Sequence, residues 1–170
     1  MRPRYRGYPT RKFGAVATAG EKDLTAMLRT LSAHLDANRY IFGKVSCQES
    51  SSAAALSALG GLGVAPICTF LEEEGLTVIL KEEELVKLRA LPNFDYIETP
   101  FSRLSLEVHS SLEAVGLTAA VSARLTGSGI SANVVAAYCH DHFFVQSERA
   151  EEALEAIMGM ADDACKSESR

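Results

Sequence analysis

Side chains able to do chemistry collect between His109 and His142. His140-Asp141-His142 comes first. On extended backbone, two histidines one residue apart point to the same side, and such a pair can chelate a metal. A tetrahedral site needs further ligands, and this segment also reads as a hairpin turn, where Asp is at home. No metal is therefore expected, and His142 is read as a ligand or subunit contact. His109-Ser110-Ser111 with Glu113 offers base, nucleophile and acid. A catalytic triad is a spatial arrangement that neighbours on one strand end rarely achieve, and no G-x-S-x-G elbow or paired-carboxylate pattern appears. Capping and turn hydrogen bonds are the favoured role there. The chain has neither a GxGxxG nor a P-loop, so no cofactor is expected. Gly116 offers the remaining chemistry. A helix opened there leaves backbone N–H groups free and carries partial positive charge. The N–H groups of Gly116, Leu117 and Thr118 suit a carboxylate, and a small residue at 116 lets a ligand approach the backbone. On these residues alone, a tight turn with no ligand is the favoured reading of this glycine.

The elements around these residues are legible. Leu104, Leu106 and Val108 alternate with polar residues, the period of a half-buried strand. Leu117, Ala120, Val121 and Leu125 form one apolar helical stripe, which Gly127 and Gly129 end. Ile130, Ala132, Val134 and Ala136 face one way on the next strand, while Ser131, Asn133, Val135 and Ala137 face the other. A turn around His140-Asp141 returns the chain through Phe143 to Val145.

This order resembles an ACT domain, a small regulatory module that binds amino acids in many metabolic enzymes. The Gly-Leu pair that opens the helix is Gly116-Leu117, and the Gly-Ile pair that opens the second strand is Gly129-Ile130. The thirteen-residue step between the two glycines matches the family spacing. The wording SSLEAVGLTAA…GISANVVA…YCHDHFFV is closer to small stand-alone proteins with tandem ACT-like halves, distantly similar to the cytosolic arginine sensor. The resemblance covers about Asp23 to Met160. It implies an α+β fold of two ferredoxin-like βαββαβ-related halves, with antiparallel sheets and helices on one face. It also implies ligand contacts at Gly116, Leu117, Ile130 and Asn133, to which Ser131 is added because it shares the face of Asn133. Val115 stands where many ACT domains carry proline, which implies a less rigid turn.

The rest of the chain fits two small units. At 170 residues and 47% hydrophobic content, it can bury a core without disulfides or a structural metal. Cys47, Cys68, Cys139 and Cys165 are far apart and read as reduced thiols. No apolar run approaches the length of a membrane span. Residues 1–20 read as a basic, loosely attached leader in which Arg2, Arg4, Arg6, Arg11 and Lys12 meet no acid. Organelle targeting is the alternative for that leader, and a cytoplasmic location is expected. The body then holds 12 basic against 22 acidic residues, which disfavours nucleic acid as a partner.

The first half is placed at 21–98. It reads as a helix over Asp23–Leu35 and a strand over Tyr40–Val45. The Ser/Ala/Gly-rich stretch 49–63 could form a weak helix across Ala53–Leu59, but its glycines and serines favour a loop. A hairpin then turns at Glu72–Gly75, and a helix runs from Lys81 to Arg89. The second half is placed at 99–160 and ends in a helix over Glu148–Met160 capped by Ser147, with 161–170 as a polar tail. Ala150, Ala153, Leu154, Ile157 and Met158 make the buried face of that helix. The second half lacks a clear fourth strand, which either the first half or another subunit must supply. The expected function is a non-catalytic regulatory protein that binds a small ligand, most plausibly an amino acid, as a homodimer. The alternative is an interaction module without ligand, followed by a metal-dependent hydrolase using His109, His140 and His142.

Overall fold

The computed structural model of the chain describes Glu21 and residues 23–47, 51–89, 91–108 and 115–167. In chain order its elements are α1 (Leu24–Arg29), β1 (Ala33–Val45), α2 (Ser52–Gly61), β2 (Cys68–Glu72), β3 (Gly75–Lys81), α3 (Leu85–Leu88), β4 (Phe94–Tyr96), β5 (Phe101–Leu106), α4 (Leu117–Gly127), β6 (Ala132–Ala136), β7 (Asp141–Gln146) and α5 (Ala150–Ser167). The seven strands form one sheet in the order β2-β3-β1-β5-β7-β6, with β4 also on β1. All of the pairings are antiparallel.

The long strand β1 joins two βαββ arrangements. Its second part, Tyr40 to Val45, pairs with β3 on one edge, and Gly43 to Val45 pairs with β4 on the other. That gives the first unit the order β4-β1-β3-β2. The first part of β1 pairs with β5, from Ala33 opposite Leu106 to Tyr40 opposite Phe101. So the second unit, β5-β7-β6, gains its fourth strand from the N-terminal segment of the same chain. The register shifts between Leu35 and Arg39, and this bulge is pinned by Asp36. Its carboxylate accepts from the Asn38 backbone N–H at 2.8 Å and from Asn38 Nδ2 at 2.7 Å, and it pairs with Arg103. The Arg103 guanidinium also lies 5.2 Å from the centre of the Tyr40 ring.

The helices lie on one face, over two cores. Under the second unit, α1, α4 and α5 bury Met27, Leu117, Val121, Leu125, Ala153 and Ile157 against Leu104, Leu106, Phe143 and Val145. Under the first, α2 and α3 bury Ala55, Leu59 and Leu88 against Val45, Leu76, Val78 and Leu80.

Several sequence expectations are corrected in their bounds. The helix expected over Asp23–Leu35 ends at Arg29, although Asp23 does cap it by accepting from the Ala26 N–H at 2.9 Å. Leu31 and Leu35 continue its apolar spacing, but they reach the same core from a turn and from β1. That helix packs on α5 of the second unit. The expected loop at 49–63 contains α2, because its glycines fall at the helix end and leave the alanines to form it. Gln146, and not Ser147, holds the cap position before the 3-10 turn Ser147–Arg149 that leads into α5. The polar tail is helical as far as Ser167, and Met158, expected on the buried face of α5, is exposed. The hairpin turns as expected, with Gly75 at φ +142°. A Cβ there would lie 2.4 Å from the Val45 carbonyl oxygen. Among the described residues no helix is long and apolar enough to cross a membrane.

Candidate functional site

The strand-to-helix turn at Gly116 is built as its sequence suggests. Gly116 takes φ +104° and holds the N-cap position of α4, and the Ala120 N–H donates to its carbonyl at 2.8 Å. A Cβ at this position would come 3.1 Å from Leu24 Cδ2. The apolar residues of α4 point into the core and aim the helix start at the end of the sheet where β7 begins. There the Thr118 hydroxyl donates to the Asp141 carboxylate. Burial pushes the Asp141 carboxyl up, against the opposing effects of Thr118 and of the His140 charge. The helix start thus combines an anion-attracting terminus with a carboxylate able to meet a cation.

The other candidates are dispersed. Leu117 and Ile130 are core residues and present only backbone to a ligand. Ser131 is exposed but follows the far end of α4, whose eleven residues put a helix length of about 16 Å between it and the Gly116 end. Asn133 is exposed on the face of β6 turned away from the described helices, opposite Phe144. His142 shares that face, with Nδ1 2.8 Å from Ser105 Oγ. Burial pushes the His142 imidazole down, and the charges of Arg103 and His140 add to that effect.

Of the His140-Asp141-His142 triplet, only His140 lies in the turn. Asp141 and His142 are the first residues of β7, so their side chains leave opposite faces of the sheet. Among the described residues no group of three or more His, Cys, Asp or Glu is placed to hold a metal ion. His109, Ser110, Ser111 and Glu113 fall outside the described residues, as does the basic leader. Sequence reasoning missed Asp141 as a partner of Thr118. The signal was present in the triplet, but reading it as a turn concealed which way Asp141 points.

A cluster at the β1 bulge was also missed. Burial tends to raise the Asp36 carboxyl, but hydrogen bonds from the Asn38 backbone and side chain, Arg103 and Tyr40 outweigh it and hold the group at about 2. Burial pushes the Tyr40 hydroxyl up to about 12, with Arg103 opposing and Asp36 adding to the rise. These residues are 67 positions apart at the extremes, so no local pattern links them.

Comparison with protein families matches residues 19–92 to one ACT domain and residues 97–158 to a second. No curated protein matched the sequence. Among solved structures, the chain is similar to a Vibrio cholerae protein of unknown function, described as a possible transport protein. The two are 42% identical with a TM-score of 0.66, over 81% of this chain and 95% of that one. It shares its fold with the ligand-free regulatory subunit of aspartate kinase from Thermus thermophilus, at 16% identity and a TM-score of 0.61, over 75% of this chain and 95% of that one. The Thermus flavus regulatory subunit gives 15% identity and a TM-score of 0.60, over 76% and 96%. Both halves match the domain, and a relative of this similarity spans most of the chain: the protein belongs to the tandem ACT-domain family.

Proposed function

We propose that this chain is a non-catalytic regulatory protein that binds a small zwitterionic ligand, an amino acid, and acts as a homodimer. The observation that carries the reading is the Gly116 turn. It presents the N–H groups that open α4 beside Asp141, so a ligand carboxylate and ammonium have complementary groups at one place. Ser131 lies a helix length away from that turn, and Asn133 lies on the opposite face of the sheet. If they share a ligand with Gly116, they do so from a neighbouring ACT unit. Ligand bound between units shifts their arrangement only by its differential affinity for the two arrangements. The thiols of Cys47, Cys68, Cys139 and Cys165 are all free, which supports work in a reducing compartment such as the cytoplasm.

A thermal-shift panel of the common amino acids, several nucleotides and divalent metals tests this. Ligand at 100 times its dissociation constant adds about 2.7 kcal/mol of stability. We expect one amino acid to raise the melting temperature. A flat panel favours the interaction-module reading. A rise with metal alone would reopen the hydrolase reading.

A further inference from the structure

The face of the sheet turned away from the described helices changes character along its length. At its middle, Tyr40, Ile79 and Phe144 are only 1–3% exposed. Towards the start of β7 the face turns polar. His34 on β1 is opposite Ser105 on β5, and Ser105 is opposite His142 on β7, so the three side chains form one row. Arg103, two residues before Ser105, shares their face, and Asn133 borders it on β6. Arg103, Ser105 and His142 are partly buried, whereas His34 and Asn133 are exposed. This row is separate from the Gly116 turn, because Asp141, which meets Thr118, leaves β7 on the other face.

Donors outnumber acceptors around this row. Of the carboxylates that border it, Asp36 already accepts from the Asn38 N–H and Nδ2, from Arg103 and from Tyr40. Glu107, further along β5, is exposed and accepts from the Ser32 hydroxyl at 3.4 Å. Arg103 has N–H groups to spare. Its Nη2 serves Asp36, and among the described residues its Nε has no hydrogen-bond partner. Ser105 and His142 leave one donor more. Ser105 Oγ lies 2.8 Å from His142 Nδ1. Burial holds the imidazole towards its neutral form, and the charges of Arg103 and His140 add to that. A hydroxyl and a neutral imidazole carry two polar hydrogens between them. The bond that joins them uses one, and the other remains to donate in either tautomer.

We infer that this end of the face is a second small-molecule site, which takes an oxyanion, a carboxylate or a phosphoryl group, between the Arg103 guanidinium and the Ser105–His142 pair, with His34 and Asn133 at its rim. A group that only accepts hydrogen bonds matches a cluster with donors left over, and a guanidinium is the side chain best shaped to hold one. A metal ion is a poor match. Among the described residues no three His, Cys, Asp or Glu are placed to hold one, and Asp36 is already saturated. A large apolar ligand is a poor match too, since the aromatic residues beside the row are buried. The ligand is therefore small and anionic. Arg103 also pins the β1 bulge through Asp36. An anion held here sits at the joint between the two units and draws on the same guanidinium. The inference does not depend on the amino-acid reading of the Gly116 turn.

Proton NMR of the imidazole C–H groups in the full chain tests this, with His142→Gln to assign the His142 signal. The probes are sodium sulfate and sodium acetate, and sodium chloride at equal ionic strength is the control. The groups facing His142 are Arg103 and Ser105 on β5, His34 and Asp36 on β1, and His140 in the turn before β7; from β6, Val135 and Asn133 face it and do not titrate. A nearby anion favours the imidazolium. We expect a saturable rise in the His142 titration midpoint with sulfate if the site takes phosphoryl groups, and with acetate if it takes carboxylates. Arg103→Lys keeps the charge but loses the planar fork, and Ser105→Ala removes a single oxygen, so both should keep the circular dichroism spectrum of the wild type. Each should weaken the saturable response about tenfold, the loss of one charge-assisted bond. Responses to sulfate and acetate no larger than that to chloride would overturn the site, as would a saturable response that both variants retain in full.

Discussion

The two ACT units share one sheet but not one standard of packing. The second unit closes its core with three helices: α1, the eleven residues of α4 and the eighteen of α5. The first has α2, in which only Ala55 and Leu59 are buried, and α3, a single turn. Its edge strand β2 has no fully buried residue. Moreover, the N-terminal helix and the first part of β1 serve the second unit. Burial of apolar area drives folding, so the second unit anchors the molecule and the first leans on it through β1.

The largest test of that asymmetry is Phe143→Ala, which removes a fully buried ring from the larger core. We expect a loss of about 3–5 kcal/mol in denaturant unfolding, with faster hydrogen exchange in both units. Leu59→Ala should cost about 2–5 kcal/mol by the same rule, with exchange rising mainly in α2, β2 and β3. Equal spread of exchange in the two variants would break the comparison. Gly116→Val comes next. Its φ of +104° is one that side chains rarely adopt, and Leu24 stands in the way. About 1–3 kcal/mol of strain is expected, together with loss of any amino-acid response in the thermal panel. Retained response would remove the turn from the site.

Asp36→Asn addresses the junction between the units, and loss of its charge-assisted bonds should cost about 1–3 kcal/mol. The folded-state pKa of about 2 lies below the usual carboxylate value. The wild type therefore has this stabilisation in full above about pH 4 and loses it as pH falls towards 2. The variant should lack that acid limb, which a pH series of denaturation midpoints will show. The smallest effect belongs to His142. Its folded pKa is lowered, so its neutral form is the stable one. Stability is full above its ordinary value of 6.5 and declines as pH falls below it. In His142→Gln, that decline between pH 7 and 5 should flatten.

Much of the second unit was legible because its signals are local. Gly116, the α4 stripe and the alternation of β6 each sit within a dozen residues. The N-terminal segment misled for a physical reason. Leu24, Met27, Leu28, Leu31 and Leu35 satisfy helical spacing, yet Ala33 and Leu35 also fit strand alternation. Pairing with β5, some seventy residues away, decides between them. The source of the missing strand was illegible for the same cause. In the candidate site, the Gly116 turn could be read, but the placement of Asp141 depended on a turn boundary displaced by one residue. The Asp36–Arg103–Tyr40 cluster had no sequence signal at all.

The shared strand makes the order of the chain differ from the order of its units. Cleavage at Thr99-Pro100 would separate the halves in sequence, but the C-terminal piece would leave without its fourth strand and α1. The uncovered edge of β5 would then be a template for the N-terminal segment of another molecule. Such a fragment is suited to exchange strands between chains, whereas a chain rearranged to begin at Tyr40, with residues 23–39 moved behind α5, would keep each unit whole.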